Sequence, residues 1–124
     1  LSFSTKGSAT HYRVDKMEKA AELFGNKNLN IEYEGEIQFD AAYDQIIAKR
    51  KISNSRLTKS ANVFVFPDLD SGNIAYKITE KLAGYQALGP LLMGLNYPIH
   101  DLSRGCSISD IINVAAITAL QKGK

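Results

Sequence analysis

The sequence holds one cysteine, Cys106, so no disulfide can close within it and no cysteine-based zinc site can form. No apolar run approaches the ~20 residues of a membrane span, and no signal peptide is visible. A reducing cytoplasm is therefore the expected setting. Charge of one sign is also scarce. Fifteen Lys and Arg against 13 Asp and Glu leave +2, too little for a dedicated nucleic-acid binder. Neither nucleic acid nor membrane is an expected partner. The G-x-G-x-x-G and G-x-x-x-x-G-K-[ST] fingerprints are missing, as are internal repeats and low-complexity tracts. His11 and His100 lie far apart and form no metal-binding spacing, and Asp68 with Asp70 is too little for a calcium loop, so no metal is expected.

What is present describes an ordinary folded domain or a piece of one. The chain has 124 residues, 44% hydrophobic and 23% charged, which excludes disorder as the main state. A chain of this size buries roughly two-thirds of its unfolded surface. It opens at Leu1, not methionine, and runs directly into the strand-like Leu1-Ser2-Phe3-Ser4. The expectation is a piece of something longer.

Strand and helix patterns alternate. Leu1–Thr5 reads as a strand, and Gly7-Ser8 as a turn. A helix follows from about Tyr12, with Val14, Met17, Ala21 and Phe24 at helical spacing and a stop at Gly25. Ile31–Phe39 alternates as a strand does, with Gly35 marking a bulge or bend. Asp40 reads as the N-cap of a short helix, and Lys49–Ser60 as a solvated loop. Val63-Phe64-Val65-Phe66 is continuously apolar, the pattern of a strand buried on both faces. Ser71-Gly72 opens an amphipathic helix that Gly84 ends. Pro98–Leu102 is a short strand, and a last helix carries the stripe Ile108, Ile111, Ile112, Ala115, Ala116 and Ala119. Such alternation with short loops is α/β, with helices on the faces of a sheet.

The densest constellation is Ser103-Arg104-Gly105-Cys106-Ser107, followed by Asp110. A hydroxyl and a guanidinium follow a strand, glycine admits a ligand close to the backbone, and a helix begins. Amides at a helix N-terminus together with an arginine fork make an anion site. The same spacing, Ser107-x-x-Asp110, fits a capping box in which Asp110 satisfies orphan donors. The two readings are compatible. Cys106 beside Arg104 has the surroundings that lower a thiol pKa, against the plainer reading of a small buried cysteine. Ser4-Thr5-Lys6-Gly7-Ser8 repeats the strand, glycine turn and helix order, as a second part of an anion site or as a plain turn. Asp68–Asn73 follows the apolar strand, where open α/β sheets place ligands, and Asn73 is the candidate contact.

Several segments together resemble one family. Phe66-Pro67-Asp68-Leu69-Asp70-Ser71-Gly72-Asn73-Ile74-Ala75-Tyr76-Lys77, Gly89-Pro90-Leu91-Leu92-Met93-Gly94-Leu95-Asn96 and Leu102-Ser103-Arg104-Gly105-Cys106-Ser107 with Asp110 look like the phosphate acetyl/butyryltransferases. Leu1–Ala9 and Gly35–Ala42 fit in the same order. The resemblance implies a longer two-domain enzyme with a three-layer, mixed-sheet, isocitrate/isopropylmalate dehydrogenase-like fold. Residues 1–98 would be most of its second domain, and 99–124 the last strand and helix, packed with an N-terminal domain that these residues lack. It implies reversible acetyl transfer between CoA and inorganic phosphate, a homodimer and a cytoplasmic setting, with coenzyme A as substrate and no cofactor.

Residue by residue, the resemblance makes Asp110 the base for the CoA thiol, Arg104 the phosphate-side stabiliser and Ser103 a donor to the reacting group. Ser4, Thr5, Gly7, Asn73, Gly105, Cys106 and Ser107 are the expected substrate-binding positions, and Cys106 is not needed as a nucleophile. Further arginines would come from the missing domain, so these residues alone are expected to be inactive. A thiol near pKa 8.5 and a carboxylate near 3.9 differ by roughly 6 kcal/mol in proton affinity. Either Asp110 is tuned upward or the thiolate is stabilised by Arg104 and the helix-end donors. A tight Asp110–Arg104 pair would work against the first, so Arg104 is expected to face the ligand. Three other readings remain: a phosphate butyryltransferase, a non-catalytic acetyl-CoA-sensing or oligomerising module as in large malic enzymes, and a self-sufficient small binding module.

Overall fold

The structure, a computed structural model, describes residues 1–122. Positions 123 and 124 of the expected 99–124 segment lie outside the described residues. Five helices supply the regular structure: α1 (Tyr12–Gly25), α2 (Phe39–Tyr43), α3 (Gln45–Lys51), α4 (Leu69–Ala83) and α5 (Ile108–Gln121). The chain divides into two compact units, 1–75 and 76–124, each considered by itself.

In the first unit, α1 forms where the apolar spacing places it. Val14 and Met17 are buried one turn apart, and the His11 ring caps the start by accepting the Arg13 amide at 3.2 Å. The helix closes at Gly25 as expected. Gly35 is a glycine because of packing rather than a bulge. A Cβ built there would lie 2.2 Å from the Ala21 Cβ on α1, so the extended segment sits directly on the helix. The expected single helix from Asp40 is two helices. Asp44 makes the break: its Oδ1 accepts the Ile46 and Ile47 amides at 2.7 and 3.3 Å and starts α3. Asp40 is instead in the first turn of α2 and pairs with Lys51 at 2.7 Å. Ile37, Ala41, Ala42 and Ile52 form the core, with Leu1, Ile47, Ala61 and Phe64 packed against it.

The expected sheet is not formed among the described residues. Segments 1–5, 31–38 and 61–66 approach one another, but through isolated bonds rather than a ladder. Ser2 N–H reaches the Ile37 carbonyl at 2.8 Å, Lys6 N–H the Glu36 carbonyl at 3.1 Å, and the Leu1 amino group the Val65 carbonyl at 2.6 Å. A strand pairing needs repeated, in-register bonds. The continuous apolar run is likewise not buried on both faces: Val63 and Val65 are 75% and 67% exposed, while Phe64 and Phe66 turn partly inward. The 49–60 stretch is not a free loop either. It begins within α3, and Glu34 then accepts the Arg56 amide at 3.0 Å and Glu32 the Thr58 amide at 3.2 Å.

In the second unit, α4 ends at Ala83, where Gly84 takes φ +71°, the left-handed conformation of a helix-terminating glycine. Leu91 and His100 make an isolated antiparallel bridge where the strand 98–102 was expected. On α5 only Val114 is buried, and the expected stripe of Ile108, Ile111 and Ile112 is exposed. Among the described residues no helix is long and apolar enough to cross a membrane.

Candidate active site

The segment leading into α5 is built as both of its sequence readings require. The Cys106 amide bonds back to the Ser103 carbonyl at 3.0 Å, closing a turn with Arg104 and Gly105 at its tip. Ser107 follows in an extended conformation, φ −83° and ψ 167°, and caps α5. The capping box is complete. The Asp110 amide donates to the Ser107 Oγ at 3.2 Å, and the Ser107 amide donates to the Asp110 Oδ2 at 2.8 Å. The Ser107 hydroxyl adds a third bond to the same Oδ2, also at 2.8 Å.

This network sets the charge of the site. The Ser107 amide, then the Ser107 hydroxyl, hold the Asp110 carboxyl below its ordinary 3.8; partial burial opposes them, and Lys81 on α4 adds attraction. Asp110 is thus tuned downward, away from a thiol. Of the two ways to favour thiol deprotonation, only stabilisation of the thiolate remains compatible with this geometry. Arg104 is exposed at the turn tip and makes no ion pair with Asp110.

Among the described residues nothing requires Gly105 to be glycine. Its backbone is outside the left-handed region, and a Cβ built on it meets nothing within 4 Å. Ser103 and Ser107 are exposed beside it, and Cys106 is half-buried with a free thiol. The tip therefore presents a guanidinium and the open Cα face of Gly105 in front of a helix N-terminus, with the Gly105 amide donating to the Ser103 Oγ at 3.3 Å.

The other two candidates are more enclosed. Ser4 and Thr5 are buried, at 0% and 5% exposure, and their hydroxyls are engaged inside the chain. Ser4 Oγ accepts the Ala9 amide at 3.0 Å, and Thr5 Oγ1 accepts the Gln38 amide at 3.0 Å while donating to the Gln38 Oε1 at 3.1 Å. Gly7, at φ +79°, gives its amide to Glu36 Oε2 at 2.8 Å. A carboxylate of the chain thus occupies the place where an external anion would meet that amide. Sequence reasoning missed Glu36: the alternation of Ile31–Phe39 marks it only as a polar position, whereas it is 3% exposed and in the left-handed region at φ +50°.

Asp68 acts as a helix-start acceptor for Ser71, taking its amide at 2.8 Å and its hydroxyl at 2.7 Å. The Ser71 hydroxyl and amide hold the Asp68 carboxyl below its ordinary 3.8, with burial opposing and Lys16 and Arg13 assisting. Asn73 is half-buried in the second turn of α4. A largely apolar cavity of about 770 Å³ lies within the first unit, between Met17, Ala21 and Phe24 of α1 and Ile31, Val63 and Val65 of the extended segments. None of the residues expected to carry chemistry lines it. Among the described residues no group of three or more His, Cys, Asp or Glu gathers as a metal-ligand set.

Comparison with known proteins matches the same regions to one family. The family model for phosphate acetyl/butaryl transferase matches residues 1–119. A phosphate acetyltransferase of Paracoccus denitrificans is 54% identical over 121 residues, and one of Bacillus subtilis is 48% identical over 121 residues. Each match takes in 98% of this chain, which spans 38% of the length of those relatives. The crystal structure of a phosphotransacetylase from Streptococcus pyogenes superposes with a TM-score of 0.91 at 50% identity, over 98% of this chain and 37% of that one. A Staphylococcus aureus phosphotransacetylase gives a TM-score of 0.85 at 49% identity, over 98% and 38%.

Proposed function

The chain belongs to the phosphate acetyl/butaryl transferase family, and from that premise we propose that the protein of which it forms a part interconverts acetyl-CoA and phosphate with CoA and acetyl phosphate. The observation that carries this reading to particular residues is the open tip at Gly105. It is a glycine whose Cα face meets nothing within 4 Å, flanked by an exposed Arg104 with no acidic partner among the described residues, ahead of the α5 N-terminus. An anion approaching there meets the planar donor fork of Arg104; the amides of Gly105, Cys106, Ser107 and Asp110 are bonded within the segment, so the helix-end donors offered to it are those of Ile108 and Ser109.

In the proposed reaction, the thiol sulfur forms the new S–C bond to the acetyl carbonyl carbon of acetyl phosphate. The C–O bond to phosphate breaks, and phosphate leaves with the bonding electron pair. The thiol proton passes to Asp110. Because Asp110 is tuned downward, this transfer needs the thiolate to be stabilised by Arg104 and the helix-end donors. Arg104 holds the phosphate oxygens, and Ser103 donates to the reacting group. Gly105, Cys106 and Ser107 form the backbone wall. On the family resemblance alone, Asn73, Ser4, Thr5 and Gly7 are proposed as further substrate-binding positions. Direct attack uses neither a covalent enzyme intermediate nor a cofactor, so alignment of the two substrates is most of the task.

We place residues 1–98 in the second domain of an isocitrate/isopropylmalate dehydrogenase-like enzyme, and 99–124 in its closing strand and helix. The relatives' greater length and the close structural superpositions support this placement. In that setting the extended segments 1–5, 31–38 and 61–66 join a mixed sheet, and the exposed α5 stripe is covered. A cytoplasmic homodimer completes the proposal. Sedimentation of the full-length protein at micromolar concentration tests the dimer, and a monomer-only profile rejects it.

The deciding experiment is a coupled assay of acetyl-CoA formation from acetyl phosphate and CoA, run on the full-length protein and on residues 1–124 alone. The full-length protein turns over, and the isolated residues do not, since a single arginine faces two polyanionic substrates. Running butyryl phosphate in parallel separates the two acyl specificities.

A further inference from the structure

His100 stands three residues before Ser103, and its ring joins two parts of the second unit. Its Nδ1 accepts the Leu92 amide at 3.2 Å, and its Nε2 lies 2.6 Å from the Gln121 Oε1 in the last turn of α5. A backbone N–H can only donate, so Nδ1 must be unprotonated, and a neutral ring then carries its proton on Nε2. That proton is what the Gln121 oxygen accepts. Both contacts select the same neutral tautomer.

The link closes a short circuit around the candidate site. α5 runs 14 residues from Ile108 to Gln121, about 21 Å at 1.5 Å per residue. The return path from His100 to Ser107 is seven residues, at most about 24 Å if fully extended. The Ser103–Cys106 turn takes up part of that reach. The run into Ser103 is thus tied at its start to the far end of the helix that begins at its other side. Towards the N-terminus, the same run is held by the Leu91–His100 bridge and by the Asp101 amide on the Pro90 carbonyl at 3.4 Å.

We propose that His100 is a positioning residue for the Ser103–Asp110 site, fixing the run into Ser103 through its neutral ring and releasing it when the ring is protonated. A doubly protonated ring presents an N–H at Nδ1 to the Leu92 N–H, two donors facing each other, while the Gln121 contact survives. Segment 90–92 brings no titratable side chain to the ring, and the last turn of α5 brings none before Lys122. Asp101, next along the chain, is turned to the Leu102 amide at 2.8 Å. The role rests on reading Ser103–Asp110 as the transferase site.

The test compares kcat/KM for acetyl phosphate across pH in the full-length transferase carrying this segment, for the parent, His100→Asn and His100→Leu. Asparagine places its Oδ1 near the position of Nδ1 and accepts a hydrogen bond at any pH. His100→Leu is expected to lose about tenfold at neutral pH, the scale of a modest misalignment. His100→Asn stays within about twofold and resists acidification better than the parent. A His100→Leu variant with parental kcat/KM, or superimposable acid limbs for parent and His100→Asn, overturns the proposal. Should His100→Leu fail to fold, the parent and His100→Asn pair decides alone. NMR of the full-length parent needs no turnover. The Leu92 amide resonance must follow the His100 ring titration, and an indifferent amide refutes the link. A parent with no transferase activity sinks the reading of the site instead, and the Leu92 amide still judges the ring contact.

Discussion

The Ser107 amide and the Ser107 hydroxyl converge on one oxygen of Asp110, Oδ2, each at 2.8 Å. One residue thus supplies both donors that fix this carboxylate, and it is also the N-cap of α5. Helix capping and charge tuning are a single structure here. Because both donors take Oδ2, the Oδ1 oxygen is left outside this pair of bonds, and in the proposed reaction it would be the oxygen that takes the proton. In the full-length enzyme, Asp110→Asn is expected to lower kcat by about 10² to 10⁴, the range for loss of a general base. The acetyl phosphate KM should change little. A well-folded Asp110→Asn enzyme with near-parental kcat confines Asp110 to the cap.

Ser107→Ala separates the two roles. It removes the N-cap acceptor for the Asp110 amide and the hydroxyl donor to Oδ2, while keeping the backbone donor. Loss of such a cap costs about 1 kcal/mol of stability. The Asp110 carboxyl is released upward toward its ordinary value. Denaturant midpoints read the first effect, and carboxyl-carbon NMR titration of Asp110 reads the second. An unmoved Asp110 titration in this variant contradicts the tuning described here.

Arg104→Lys keeps the charge at the turn tip and loses the planar two-donor fork. Transfer is expected to fall by roughly tenfold or more with stability unchanged, since the side chain is exposed and holds no ion pair with Asp110. Steady-state kinetics at parental level in this variant remove Arg104 from the mechanism.

Two glycines are expected to answer alanine in opposite ways. At Gly105 an added Cβ meets nothing within 4 Å, so the melting temperature should hold while the KM for acetyl phosphate or CoA rises. At Gly35 the added Cβ falls 2.2 Å from the Ala21 Cβ, so α1 and the 31–37 segment must part. Overpacking of this kind costs about 1–3 kcal/mol. Thermal unfolding and kinetics of both variants check the contrast. A destabilised Gly105→Ala, or a neutral Gly35→Ala, breaks it.

Acid stability follows from carboxylates held below their ordinary values. Asp40, Asp68 and Asp110 are each lowered from 3.8, chiefly by hydrogen bonds from Lys51, Ser71 and Ser107 respectively. Glu34 is pushed up by burial, but the Lys6 ammonium and the Arg56 amide outweigh that and bring it below 4.5. A folded value below the unfolded one means that the unfolded state binds protons first as pH falls. The contribution is therefore complete above the ordinary values and is lost as pH falls from them through the lower folded values. Urea midpoints measured from pH 6 to pH 3 should decline mainly below about pH 4.5. Lys51→Met should flatten part of that decline through Asp40.

The sequence by itself determined the local features whose causes are local. The apolar spacing of Val14 and Met17 placed α1, Gly84 ended α4, and Ser107-x-x-Asp110 specified the capping box, because each depends on residues within about one helical turn. The ordered motifs also pointed to the family. Tertiary structure decided what depends on neighbours distant in sequence. Glu36 is one polar position in an alternating segment until the Gly7 turn folds onto it. Gly35 signals a bend until Ala21 lies beneath it, and His100 is a lone histidine until Gln121 and Leu92 meet its ring. The sheet shows the same limit. Val63–Phe66 has the composition of a doubly buried strand, but a strand exists only when another backbone repeats its hydrogen bonds in register, and among the described residues these segments meet through isolated bonds.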